Sequence, residues 1–327
     1  MMHFCTLFDS TYLSRGLIMY ESIKQNSNEF HLYIFAFDTL AYEILLKMRL
    51  DNTTIISLKE FENQDLLAIK STRTRAEYCW TSTSSVIDYV LKNFDVPSCT
   101  YLDADLFFYD SPIKILNELQ NDNTVLITEH GFSKFAKLFE QKRAGRFCVQ
   151  FITFTNSRAS KDILEKWISQ CIDWCYARYE DGKFGDQKYL EHWPEEYSNV
   201  HVIRHKGGGV APWNVGQYKF IQDKNKYWGV VNSNNEKFEV IFFHFHFVRI
   251  MSNGHVDLGW NRLSNTVIDL FYKPYINKIL EKERFIAKAY PRYKTIYADG
   301  KPEGIRDTIK YLYKRIAKFN LLKLPAN

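Results

Sequence analysis

The first half of the chain alternates between short apolar runs and segments in which apolar residues recur every three or four positions. Apolar runs rich in β-branched and aromatic residues predict buried strands, and the longer spacing predicts amphipathic helices. This β-α-β alternation implies parallel strands joined by right-handed crossovers, and therefore an α/β fold built on a mostly parallel sheet. The predicted strands are 3–8, 31–37, 53–58, 99–102, 124–128 and 147–154, and the predicted helices are 13–23, 39–49, 60–69, 76–91 and 113–119.

Two aspartates lie just past the strand predicted at 99–102. Asp103 and Asp105 flank Ala104, and in open α/β sheets ligands bind in the crevice outside the carboxyl ends of the strands. Neighbouring carboxylates repel unless a cation neutralises them, and Mg²⁺ or Mn²⁺ prefers oxygen ligands and can also bridge to a diphosphate. A pair of solvated loop aspartates would give the same short motif. The apolar run before the pair favours the metal-diphosphate interpretation.

Three later segments carry further candidate chemistry. A strand predicted over 239–247 places His244 and His246 on one face, where two histidines become credible metal ligands beside the aspartate pair. A loop leads into a short predicted helix, and Asp186 could be simply the N-cap of that helix. The glycine triplet at 207–209 is expected to be flexible and to let a ligand approach the backbone closely.

Missing motifs argue against several classes of protein. No Gly-x-Gly-x-x-Gly turn follows the first strand, which argues against a dinucleotide dehydrogenase. The glycine triplet is not followed by the Lys-Ser/Thr of a P-loop, so ATP binding by that route is not expected. A nucleotidylyltransferase would need a glycine-rich basic loop where this chain has the segment 8–12. No nucleic-acid-binding motif is recognisable, so we expect no nucleic-acid partner.

Composition and cysteine use are those of an ordinary globular protein. The chain has 327 residues, of which 46% are hydrophobic and 25% charged, and this excludes extensive disorder. Aromatic residues reach 16%, which suits either core packing or stacking against sugars and nucleobases. Cys171 and Cys175 are predicted on neighbouring turns of one helix, because no second Cys or His pair follows at zinc spacing. Without a signal peptide or a membrane-spanning stretch, we expect a cytoplasmic protein.

The C-terminal segment predicts a basic amphipathic helix over 301–323. One interpretation is that the helix lies on the inner face of the membrane, where anionic lipid attracts lysine and arginine. The alternative is that its apolar stripe packs on the catalytic domain or against a second subunit. We expect a catalytic domain over 1–260 and a helical, basic extension over 261–327. The basic residues are Lys301, Arg306, Lys310, Lys314, Arg315, Lys318 and Lys323, and the apolar stripe is Ile305, Ile309, Leu312, Ile316 and Phe319.

In this order, the motifs resemble those of the metal-dependent GT-A glycosyltransferases, over residues 3 to 250. The closest likeness is to retaining family 8, the glycogenin and bacterial lipopolysaccharide galactosyltransferase group. An isolated Asp-x-Asp is a weak signal, but the order of all the landmarks is fairly specific. The landmarks are the first strand ending in Phe8 with Asp9 and Tyr12, then Arg75, Asp103-Ala104-Asp105, Gln150, Asp186-Gln187, Ala211-Pro212-Trp213-Asn214 and His244.

This resemblance implies a fold, an activity and a metal. The fold would be GT-A, with a Rossmann-like central sheet and flanking helices. The activity would be transfer of a sugar, with retention, from a nucleotide-diphosphate sugar, usually a UDP-sugar. The acceptor would be a bacterial surface glycan or a lipid-linked glycan, as in lipopolysaccharide or capsule biosynthesis. Mn²⁺ or Mg²⁺ would be bound by Asp103, Asp105 and His244, with His246 as the alternative histidine.

The resemblance also implies roles for the other landmarks. Phe8, Asp9 and Tyr12 would line the nucleotide site, and Asp103 would also lie near the ribose. Arg75 would contact the donor sugar or its phosphates. Gln150 and Asp186 would hydrogen-bond the sugar, and Gln187 would lie near the face opposite the leaving group.

One stretch departs from the family pattern, which is His-aromatic-x-Gly followed by a lysine. Here Phe247 replaces the glycine and the lysine is missing, so Arg249 would take over the diphosphate contact. An inverting reaction would need a carboxylate base, and Glu129 is the candidate. Two other functions stay open. One is a nucleotide-sugar or carbohydrate-binding protein without turnover, and the other is a glycoside hydrolase that uses Asp103 and Asp105 as its acid pair.

Overall fold

The structure is a computed structural model, and it describes residues 1–120, 122–295, 297–298, 305–317 and 319–324. The strands are β1 (Met2–Phe8), β2 (Phe30–Ala36), β3 (Thr53–Ser57), β4 (Ser98–Leu102), β5 (Leu106–Phe108), β6 (Val125–Glu129), β7 (Phe147–Thr155), β8 (Val200–Val202), β9 (Tyr218–Asp223), β10 (Lys226–Val231), β11 (Lys237–Glu239), β12 (Phe242–His244), β13 (Arg249–Ile250), β14 (His255–Asp257) and β15 (Leu321–Lys323). The α-helices are α1 (Leu13–Asn26), α2 (Thr39–Met48), α3 (Leu58–Phe61), α4 (Gln64–Lys70), α5 (Arg75–Asn93), α6 (Ile113–Leu116), α7 (Lys134–Ala144), α8 (Arg158–Asp173), α9 (Trp193–Glu196), α10 (Asn265–Val267), α11 (Lys273–Ala289) and α12 (Ile305–Ile316).

A seven-stranded sheet in the order β3-β2-β1-β4-β7-β6-β8 forms the centre of the fold. β1 runs parallel to β2 and β4, β2 runs parallel to β3, and β6 runs parallel to β8. The exception is β7, which is antiparallel to both β4 and β6. Helices cover both faces, so the strands are buried on both sides and read in the sequence as continuous apolar runs. The predicted α/β fold with a mostly parallel sheet is confirmed.

Local capping explains where one prediction was wrong. The helix predicted over 60–69 is two helices, α3 and α4. Ser57 begins α3 with a capping box, in which Glu60 bonds back to the Ser57 backbone. Asn63 then accepts a hydrogen bond from the Leu66 amide and begins α4, because its side chain satisfies a free amide of the new first turn.

The strand predicted over 239–247 is also divided. β11 ends at Glu239, and β12 covers only Phe242–His244, where it pairs antiparallel with β5. Phe247 then adopts a left-handed backbone conformation, with φ of 65°, which turns the chain out of the strand. The pairing with β5 is what fixes the position of His244, since His244 lies opposite Leu106.

The second half of the chain packs a further core against the sheet. α10 continues through a π-helical turn at Ile268–Tyr272 into α11, and the Tyr275 ring stacks on Phe245 at 3.7 Å between centroids. Trp167 on α8 is fully buried in the core. Since α8 ends at Asp173, Cys175 lies beyond the helix rather than on its next turn. The domain boundary at residue 260 stays a prediction.

The C-terminal helix α12 is present, but its exposure pattern differs from a simple two-faced helix. Ile309, Leu312 and Ile316 are 62%, 50% and 83% exposed, whereas Lys314 is 5% exposed. β15 follows and pairs with β14, which ties this segment to the rest of the fold. Residues 301–304 and 318 of the predicted helix lie outside the described residues. Within the part of the chain that the structure describes, no helix is both long enough and apolar enough to cross a membrane.

Candidate functional site

Asp103, Asp105 and His244 come together at the carboxyl end of β4. Their ligand atoms all lie within 4.8 Å of one another. His244 Nε2 is 3.1 Å from Asp105 Oδ1 and 3.6 Å from Asp103 Oδ2. The topology accounts for this meeting: Asp103 and Asp105 occupy the turn between β4 and β5, and β5 pairs with β12. Two carboxylates and one imidazole form a donor set that suits a divalent cation.

Gln150 fixes the orientation of the histidine. Its Oε1 lies 2.5 Å from His244 Nδ1, and its backbone carbonyl accepts a hydrogen bond from the Asp103 amide at 3.0 Å. With an amide oxygen as acceptor, His244 Nδ1 carries the proton and Nε2 faces the two aspartates. Gln150 Nε2 is buried and has no hydrogen-bond partner among the described residues. The amide is therefore placed to donate to a bound molecule.

The charges of the three groups depend on one another. Burial and the charge of Asp105 raise the pKa of Asp103, although His244 opposes the rise. Burial alone would raise the pKa of Asp105, but the charge and hydrogen bond of His244 lower it. Burial alone would lower the pKa of His244, but Asp105 raises it well above its ordinary value. The aspartate pair therefore needs a positive charge beside it, and this supports cation binding.

Arg75 lies at the carboxyl edge of the neighbouring strands. As the first residue of α5, it forms an ion pair with Asp9 after β1 and places Nη2 2.8 Å from Asp38 Oδ2 after β2. Asp38 also accepts hydrogen bonds from Ser10 and caps α2. These contacts hold the guanidinium in place while its side chain stays 55% exposed. A fixed, accessible arginine at this edge is suited to binding phosphate.

Asp186 and Gln187 occupy different environments. Asp186 is 6% exposed, and burial and the charge of Asp103 raise its pKa to about 7. It occupies the N-cap position of the short 3₁₀ helix Gln187–His192, as predicted, but within the described part of the chain its side chain makes no capping hydrogen bond there. Gln187 Nε2 donates to the Ala144 carbonyl at 2.6 Å. The structure thus places the Asp186 carboxyl close enough to Asp103 to feel its charge, and it ties the Gln187 amide to the end of α7.

The stretch after His244 carries Arg249 on an unusual backbone. The Arg249 guanidinium lies over the Phe247 ring at 4.0 Å. Phe247 itself has φ of 65°, so it occupies the left-handed conformation that glycine adopts most easily. His246 is exposed, and its ring lies 5.7 Å from that of His244. Phe247 therefore adopts a glycine-like backbone conformation at the position where the family pattern has glycine.

Sequence reasoning missed two residues beside the site. Arg15 donates from Nη2 to the Val248 carbonyl at 2.8 Å, and its guanidinium lies 4.9 Å from the Tyr12 ring centroid. His130 is buried, and burial lowers its pKa to about 3. Trp213 donates to the His130 carbonyl at 2.8 Å. The signal for Arg15 was its position one helical turn after Tyr12, since such residues share a face.

The glycine triplet is required by packing rather than by a ligand. A Cβ at Gly207 would lie 1.8 Å from the Glu239 carbonyl oxygen, and one at Gly208 would lie 2.9 Å from Ile115. A Cβ at Gly209 would lie 3.7 Å from Gln150 Nε2. The close backbone approach that we predicted is therefore made by the protein itself at Gly207 and Gly208.

Two proteins of Bacillus subtilis (strain 168) are similar in sequence to this chain. The uncharacterised protein YfnD is 29% identical over 303 residues, which cover 91% of this chain and 94% of YfnD. The uncharacterised protein YfnF is 31% identical over 255 residues, which cover 76% of this chain and 82% of YfnF. No protein-family model matches the chain.

Two solved glycosyltransferase structures share its architecture. The galactosyltransferase LgtC, in complex with donor and acceptor sugar analogs, superposes with a TM-score of 0.52 at 12% identity, over 86% of this chain and 96% of LgtC. The glycosyltransferase GlyE of Streptococcus pneumoniae TIGR4 gives a TM-score of 0.50 at 12% identity, over 92% of this chain and 65% of GlyE. The GT-A fold implied by the resemblance is confirmed. The chain therefore has the architecture of the GT-A fold, and by its sequence it belongs to the same protein family as YfnF.

Proposed function

We propose that this protein transfers a sugar, with retention, from a UDP-sugar to a surface or lipid-linked glycan of a bacterium, and that it depends on a divalent metal. Fold alone does not fix a substrate. The observation that carries the proposal is the group formed by Asp103, Asp105 and His244. It shares the carboxyl edge of the sheet with the Asp9–Arg75 ion pair, because β1 and β4 are neighbours.

The residues present fit Mn²⁺ or Mg²⁺. Asp103 and Asp105 offer carboxylate oxygens, His244 offers Nε2, and Gln150 holds the imidazole ring. Such a cation, when bound, supplies positive charge against the negative charge that develops on the departing diphosphate. Arg75 and Arg249 would bind the same diphosphate from the protein side, so no protonated general acid is needed. The unpartnered Gln150 amide and Asp186 would hydrogen-bond the donor sugar.

The surroundings of Glu129 support retention. An inverting reaction needs a carboxylate base beside the acceptor hydroxyl, but Glu129 Oε1 lies 2.9 Å from Arg146 Nε in an ion pair. The Glu129 carboxylate is thus engaged with a cation of the protein rather than left free to meet an acceptor hydroxyl. In a front-side reaction the departing phosphate oxygen takes the acceptor proton instead. The new glycosidic bond then forms on the face from which the diphosphate leaves.

We expect a UDP-sugar to raise the melting temperature only when Mn²⁺ or Mg²⁺ is present. A ligand at 100 times its Kd stabilises a protein by about 2.7 kcal/mol. The measurement is a thermal-shift screen of nucleotide sugars with and without metal, followed by assays for UDP release. Asp105→Asn should abolish both the rise in melting temperature and the release of UDP. The matched control Asp51→Asn, at an exposed carboxylate, should retain both.

Four results would contradict this proposal. If a UDP-sugar raised the melting temperature without metal, or if the Asp105→Asn variant were active, the site would not depend on a metal. Binding of the donor without any release of UDP would favour a non-catalytic binding protein. Cleavage of simple glycosides in a chelator would favour a hydrolase.

We propose further that α12 binds an anionic membrane surface, where the glycan acceptor would be met. Its apolar residues Ile309, Leu312 and Ile316 are exposed, and an exposed apolar stripe on a basic helix is typical of interfacial helices. Lys323 in β15 is exposed nearby. Each lysine or arginine close to anionic lipid contributes about 1 kcal/mol.

Leu312→Glu combined with Ile316→Glu should abolish sedimentation with vesicles of phosphatidylglycerol and phosphatidylcholine, while donor hydrolysis is retained. The control Leu46→Glu changes an exposed leucine on α2 and should still sediment. These substitutions are sharper than a deletion, because removing the C-terminal segment would also remove β15 from its sheet. If the wild type ignores the vesicles and the double variant changes the oligomeric state in light scattering, α12 is a subunit interface.

A further inference from the structure

Lys314 is buried although it lies on the exposed helix α12. Its side chain is 6% exposed. Nζ donates to the Gly259 carbonyl at 2.8 Å and forms an ion pair with Asp257. The Trp260 ring lies 4.4 Å from the same ammonium. Burying a lysine is unfavourable unless its charge and its three donors find partners, so this is a specific anchoring contact.

The ion pair of Lys314 is formed with the strand pair β13–β14, which carries Arg249. Asp257 lies in β14, and its partner in the β13–β14 ladder is Arg249. On its other side Asp257 pairs with Leu321 of β15. Two residues of the C-terminal segment, Leu321 and Lys314, therefore contact Asp257, which is itself the strand partner of Arg249.

The Lys314 ammonium also lies near the Phe247 ring, over which the Arg249 guanidinium is placed. Phe247 lies 4.0 Å from the Arg249 guanidinium and 5.8 Å from Lys314 Nζ. Gly259, whose carbonyl accepts the hydrogen bond from Lys314, is packed against Phe247. A Cβ at Gly259 would lie 3.2 Å from Phe247 Cδ1. Arg15 Nη2 donates a hydrogen bond to the carbonyl of Val248, the residue that follows Phe247. A non-glycine residue keeps a left-handed conformation only where its surroundings enforce it, and these contacts enforce it for Phe247.

We propose that Lys314 is a positioning residue for donor binding. It holds the segment 247–249 in the conformation that presents Arg249 to the diphosphate, and so makes the C-terminal segment part of the donor site. This inference rests on the proposed function. Lys314 touches no donor atom in this scheme and acts through Asp257, Gly259 and Phe247.

The test compares Lys314→Met with Lys323→Met. Lys323 also lies in the C-terminal segment, but its side chain is exposed and its partner in the β14–β15 ladder is His255. Lys314→Met should raise the donor KM and the Kd for UDP about tenfold, as expected for weakening one charge-assisted contact. The affinity for Mn²⁺ alone should not change, because the metal ligands are untouched. Lys323→Met should match the wild type in all three measurements.

Two further measurements separate positioning from general stability. Hydrogen exchange should be faster at residues 247–250 in Lys314→Met and unchanged in β1 and β4. Adding Arg249→Ala to Lys314→Met should cost less than Arg249→Ala costs in the wild type, because both changes remove the same contact. Where Lys314→Met does not fold, Asp257→Asn removes the ion pair while keeping the shape of the site.

The outcomes distinguish this inference from the proposed function. If the wild type binds no UDP in the presence of metal, the proposed function is wrong and Lys314 has no donor to position. If the wild type binds UDP and Lys314→Met binds it equally well, only the inference is wrong. Equal losses of Mn²⁺ and UDP affinity would show that Lys314 merely stabilises the fold.

Discussion

His244→Ala is expected to abolish metal-dependent donor binding, whereas His246→Ala should leave most of it. His244 Nε2 faces both aspartates at 3.1 and 3.6 Å, and Gln150 holds its ring. His246 is exposed and belongs to no group of three metal-ligating side chains among the described residues. Loss of an outer-shell partner already lowers metal affinity about 10–100-fold, so loss of the ligand should lower it further.

Isothermal titration of both variants with Mn²⁺, and then with UDP in the presence of Mn²⁺, gives the comparison. His246→Ala is the matched control, since it removes the same ring two positions away. Far-UV circular dichroism should show both variants folded. Equal losses would mean that both histidines ligate the cation or that both only shape this stretch. A larger loss for His246→Ala would show that the cation is bound in another arrangement.

The alternation of strands and helices could be predicted because each element carries its own signal. β1 and β2 are buried on both faces, so their apolar runs were visible without knowledge of their partners. The two aspartates could be predicted for the same reason, since they directly follow a buried strand. The carboxyl ends of parallel strands meet at one edge, which is why Asp9, Asp38 and Asp103 lie on the same side of the sheet.

Residues whose position depends on distant partners could not be predicted in this way. The strand carrying His244 looked continuous, yet only three residues of it pair with β5, and Phe247 turns away in a left-handed conformation. Lys314 was predicted only as one of the basic residues of an amphipathic helix, but its partners Asp257 and Gly259 lie more than 50 positions earlier in the chain. Helical periodicity shows which side of a helix is apolar, and it does not show which charge is buried.

Asp186→Asn is expected to stabilise the folded protein at neutral pH while lowering donor turnover. Burial and the charge of Asp103 raise the pKa of Asp186 from 3.8 to about 7. Between these values the folded protein holds a proton that the unfolded chain has released, so stability falls as the pH rises. Above about pH 7 this loss of stability is complete. A pKa difference of this size corresponds to about 4 kcal/mol in the free energy of unfolding. Below the pKa of the unfolded chain both states are protonated and the effect vanishes.

Asparagine cannot ionise, so the gain in free energy of unfolding should be about 4 kcal/mol at pH 8 and about 2 kcal/mol or less at pH 5. The measurement is urea unfolding at both pH values in a chelator, since a bound cation would itself favour the charged form of Asp186. Asp173→Asn, at an exposed carboxylate near the end of α8, is the control and should change stability little at either pH. Donor turnover of Asp186→Asn should fall about tenfold or more, as expected when a charged hydrogen-bond acceptor is lost. A gain that does not depend on pH, or no gain at pH 8, would show that the folded protein already stabilises the charged carboxylate.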